Sequence, residues 1–102
     1  ISIAKGDMTM THATSIINQR IQEMSLDYLK LVCTNHNINI SDQNLQIILY
    51  LIKNNSCTVI IPDYHPIIYI EIYNKTNATV LNDFKPIIEK DYLIQDIKEC
   101  TN

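Results

Sequence analysis

The stretch Cys57-Thr58-Val59-Ile60-Ile61-Pro62-Asp63-Tyr64-His65-Pro66-Ile67-Ile68-Tyr69-Ile70-Glu71-Ile72-Tyr73 decides between two folds. Thr58 to Ile61 and Ile67 to Tyr73 are rich in β-branched and aromatic residues, which favour strands, and the segment with two prolines lies where a turn would fall. By propensity alone, 57–73 is a β-hairpin and the chain is α+β. The competing reading takes Asp63 as an N-cap and Pro66 as a first-turn proline, both permitted, and continues as a helix over 64–74. Local rules leave both readings open.

The sequence on either side is helical in pattern. Upstream, Ile16, Ile17, Arg20, Ile21 and Met24 fall on one stripe opposite Asn18, Gln19, Gln22 and Glu23, which predicts a helix over 13–23. Ser25 then stands as an N-cap before Leu26-Asp27-Tyr28-Leu29-Lys30, with Asp27 in the first turn where the helix dipole favours an acid, and a second helix is expected over 26–35. Residues 36–40 alternate polar and apolar, so they read as a short extended link that places Ile38 and Ile40 in the core. Ser41 and Asp42 restart a helix over 42–54, where Leu45, Ile48, Leu49 and Ile52 repeat at i, i+3, i+4 and i+7. Downstream, Asn77 is a candidate N-cap. Val80, Leu81, Phe84, Ile87, Ile88, Tyr92, Leu93 and Ile97 recur at helical spacing towards Cys100, with Pro86 predicted to kink or break the helix near 85.

The expected architecture is therefore a small all-α bundle of four or five short helices, with α+β and a hairpin at 57–73 as the alternative. The 102 residues fit one domain, taken as 11–102, behind a tail or cloning remnant at 1–10 that has neither helical nor strand period. The formal charge is −3, and the eight basic residues are scattered, so no basic face for nucleic acid is expected. Gly6 is the single glycine, which excludes glycine-dependent phosphate cradles from everything after it. No apolar run approaches the ~20 residues of a membrane span. Three cysteines with no secretory signal before them point to the cytoplasm. Asn-x-Ser/Thr sequons, those at Asn54, Asn74 and Asn77 among them, are what a chain with eleven asparagines produces by chance. Its twenty isoleucines indicate AT-rich coding.

The run Ile17-Asn18-Gln19-Arg20-Ile21-Gln22-Glu23-Met24-Ser25-Leu26-Asp27-Tyr28-Leu29-Lys30, followed by Asn37-Ile38-Asn39-Ile40-Ser41-Asp42-Gln43-Asn44, resembles a small uncharacterised family of low-GC Gram-positive bacteria. That family has a first helix with Ile-Asn, a second helix similar to Leu-Thr-x-x-Glu-Leu-Leu-Lys, an extended Ile-x-Ile-Thr link and a third apolar helix. The likeness covers residues 16–54 and extends faintly over 58–76. It implies an all-helical fold and supplies no activity. The chain departs from the pattern at Glu71, Lys75 and the two prolines. The helix, extended link, helix order also resembles small nucleic-acid-binding modules, but those carry a basic surface and a link glycine that this chain lacks.

Candidate chemistry is sparse. Cys33-Thr34-Asn35-His36 has C-x-x-H spacing that Cys57, His65 or Cys100 could complete as a zinc site, but only one close ligand pair exists, and Cys33 reads more simply as a buried hydrophobe. Cys57 with His65 would be a thiol and base without an identifiable orienting group or oxyanion hole. The acids Glu89, Asp91, Asp96 and Glu99 alternate with Lys90 and Lys98 as a solvated helix face would. No catalytic, cofactor or metal residue is assigned. Tyr64, Tyr69, Tyr73 and Phe84 are the candidate interaction patch, because tyrosine adds contact area at low entropy cost. The expected function is a small non-enzymatic cytoplasmic protein-protein interaction module, its partner another protein or a second copy. The alternative is a nucleic-acid-binding module or an acidic inhibitor of one.

Overall fold

In the computed structural model, which describes residues 12–93, the chain is all-α, and no strand occurs among the described residues. The helices are α1 His12–Gln22, α2 Leu26–Asn35, α3 Asp42–Asn54, α4 Ser56–Ile60, α5 His65–Lys75 and α6 Ala78–Glu89, with a 3-10 turn over Pro62–Tyr64 before α5. The hairpin alternative is thereby excluded: Thr58 to Ile60 lie in α4 and Ile67 to Tyr73 lie in α5. The physical reason is burial. β-Branched residues cost less than ~0.7 kcal/mol each in a helix, whereas each buried aliphatic side chain returns roughly 1.5–3 kcal/mol. In the helical register Val59, Ile68 and Ile72 all reach the core. The intervening segment also has no glycine or Asn-Gly pair for a tight hairpin turn. Instead Tyr64 N–H donates to the Ile61 carbonyl at 2.9 Å and closes the 3-10 turn.

Side chains begin three of the helices as expected. Ser25 accepts from Tyr28 N–H at 3.1 Å, Ser41 from Asn44 N–H at 3.3 Å, and Asn77 from Val80 N–H at 2.9 Å. Each satisfies a backbone donor that the first turn leaves without an intrahelical partner. Of the cap and turn roles open to Asp63, it takes the turn. The N-cap of α5 is Tyr64, no side chain caps it, and Asp63 lies exposed in the 3-10 turn. Pro66 does occupy the first turn of α5, where its missing N–H costs nothing.

Helix ends are set by residues that tolerate a left-handed backbone. Asn37 has φ 59°, its N–H donates to Thr34 O at 3.1 Å, and Ile38 N–H reaches back to Cys33 O at 2.8 Å, which is a Schellman closure of α2. The link is thus a turn at 36–37 followed by an extended piece. It places Ile40 in the core and leaves Ile38 half-buried against it. Asp91, with φ 62°, follows the end of α6. Of the kink or break predicted near 85, the break does not occur, since α6 continues through Pro86 to Glu89. The carbonyl that loses its helical donor is that of Asn82, an exposed residue at which water can take the bond. The helical spacing ceases to be one helix at Glu89, well short of Cys100, which lies outside the described residues, as do 1–10.

The core joins Ile17, Ile21 and Met24 of the first segment to Leu29 and Val32 of α2, Leu45, Ile48 and Ile52 of α3, and Phe84, Ile87 and Ile88 of α6. Helix α5 packs on α3, α4 and α6, so three of its neighbours draw on its inner face. Polar ties fix α1 beside the α3–α4 junction: Gln22 Nε2 donates to Lys53 O at 2.8 Å, and the Ser56 hydroxyl donates to Asn18 Oδ1. No helix among the described residues is long and apolar enough to cross a membrane.

Candidate functional site

Helix α5 is apolar nearly all round, a pattern that in a small domain implies burial on every side. Its neighbours cover only one side. His65, Ile68 and Ile72, at i, i+3 and i+7, face the core, while Ile67, Ile70 and Tyr73 remain 49%, 58% and 53% exposed. At 3.6 residues per turn, residues three apart form an inclined ridge, and Ile67, Ile70 and Tyr73 make such a ridge along the outer side of α5. Tyr64, 47% exposed, lies three residues before Ile67 in the 3-10 turn and continues the same spacing. Four of the six large apolar side chains exposed among the described residues therefore belong to this one segment, the others being Leu31 and Tyr50.

The four residues of the candidate patch do not share this surface. Tyr64 and Tyr73 lie on it. Phe84 is 0% exposed: it falls on the Val80, Phe84, Ile87, Ile88 stripe with which α6 enters the core, so it leaves the patch. Tyr69 is half-buried at the α5–α6 seam, with the Lys85 ammonium 5.2 Å from its ring centroid and the His65 ring 6.0 Å away, tilted by 55°. Burial, and after it the charge of Glu89, raises the Tyr69 phenol above its ordinary pKa. Ile67 and Ile70 are the members that sequence reasoning missed. Their signal was the three-residue spacing to Tyr64 and Tyr73, readable only once the segment is known to be helical.

The other candidates separate. Cys33 is buried, and burial pushes its thiol from 9.0 up to about 11, so it is held neutral as a small hydrophobe. His36 is exposed at the end of α2 and stacks on Tyr92, centroids 3.6 Å apart and planes within 7°. This stack ties the residues after α6 to the end of α2. Cys57 is exposed, whereas His65 is buried with Nε2 2.9 Å from the Val59 carbonyl. A carbonyl can only accept, so Nε2 carries the proton and donates it there, and no hydrogen bond joins this ring to Cys57. Among the described residues, no three His, Cys, Asp or Glu side chains gather as metal ligands. The one ion pair among them, Lys30 Nζ to Asp42 at 3.2 Å, is solvent-exposed and contributes little to stability.

Fold and surface together define a class: a small helical bundle with one helix apolar on both its covered and its uncovered side. No family model, curated protein or solved structure matches the chain.

Proposed function

We propose that this chain is a small non-enzymatic protein-protein interaction module of the cytoplasm, which docks a partner polypeptide along the outer ridge of α5. The observation that carries the reading is the exposure of Ile67, Ile70 and Tyr73, with Tyr64 before them, on a helix whose other face is already in the core. Isolated exposed apolar residues are ordinary on a protein surface, but a continuous series on one element is costly in water and marks a contact surface. Isoleucine and tyrosine suit that role, since both present rigid area with few rotamers to immobilise. A cytoplasmic setting is supported by the free thiols of buried Cys33 and exposed Cys57. A nucleic-acid partner is disfavoured by the net charge of −3 and the scattered basic residues.

The test compares the tagged wild type with Ile70→Asp in affinity capture from lysate of the source cells, with and without nuclease, alongside sedimentation velocity of each purified chain. The proposal expects a near-stoichiometric polypeptide that survives nuclease and is lost with Ile70→Asp, or a concentration-dependent dimer lost with the same substitution. Identical material on both baits, loss of the bound material on nuclease treatment, or a bare bait that sediments as a monomer would overturn it.

A further inference from the structure

We draw no further inference here: the strongest candidate, the shallow apolar depression of about 290 Å³ between α3 and the last turn of α5, lined by Gln46, Ile47, Tyr50, Leu51 and Lys75, is an unpartnered surface, and nothing in the structure shows what covers it.

Discussion

Cys33 carries a pH signature that follows from its position alone. Its thiol ionises near 9.0 when exposed and near 11 when folded, because the charged thiolate is disfavoured in the apolar core. Between these values the folded chain binds more protons than the unfolded one, so the stability associated with the neutral thiol is complete below about pH 9 and declines as pH rises towards 11. The loss is on the order of 2 kcal/mol. Urea unfolding at pH 8, 9.5 and 11 should show a steeper decline for wild type than for Cys33→Ala, and parallel declines would contradict a buried neutral thiol. At the same scale, Asn77 caps α6 through its side-chain oxygen on Val80 N–H. Asn77→Ala should cost about 1 kcal/mol in chemical denaturation, whereas a neutral result would mean that the cap is not formed. Both residues were legible in the sequence, Cys33 by its place on an apolar stripe and Asn77 by preceding one. Asp63 was legible only as a cap or turn residue, because a carboxylate beside a proline fits both equally well, and the backbone assigns it to the turn.

Among the elements, α3 was the clearest in advance. Leu45, Ile48, Leu49 and Ile52 fall at i, i+3, i+4 and i+7 between a capping Ser41 with polar Gln43, Asn44 and Gln46 on one side and Lys53-Asn54-Asn55 on the other, so the helical period stands out against the strand period. Helix α5 offered no such contrast. Ile67, Ile68, Tyr69, Ile70, Ile72 and Tyr73 surround Glu71 alone, and a run that is apolar at nearly every position carries no period to read. The choice was made by tertiary packing, which places Ile68 and Ile72 in the core one turn apart. The exposed ridge was illegible for the same reason, since which apolar residues face outward depends on the helix being assigned first. Helix α6 was read with its stripe intact and with a kink or a break at Pro86, of which the break is absent. Pro86 is accommodated inside the helix at the loss of one hydrogen bond. Pro86→Ala should therefore stabilise the chain, by roughly 1–3 kcal/mol given the usual cost of an interior proline. A fall in the urea midpoint would show instead that the proline ring itself is needed for α6 to fit its neighbours.

For the molecule as a whole, the two faces of one helix are divided between core and solvent. The bundle takes the inner face of α5, where α3, α4 and α6 meet, and leaves an outer face that the fold does not use. A surface that contributes nothing to the fold can be altered without unfolding it, which is what allows Ile70→Asp to probe function separately from stability. The division is tested most directly by the equilibrium unfolding of Ile68→Ala and Ile70→Ala, two identical truncations two residues apart. In a strand these positions would share a face and lose similar stability. In the helix Ile68 is buried and Ile70 is exposed, so Ile68→Ala should lose about 2–5 kcal/mol and Ile70→Ala should stay within about 0.5 kcal/mol of wild type. Comparable losses in the two variants would contradict both the helical register of α5 and the exposed ridge built on it.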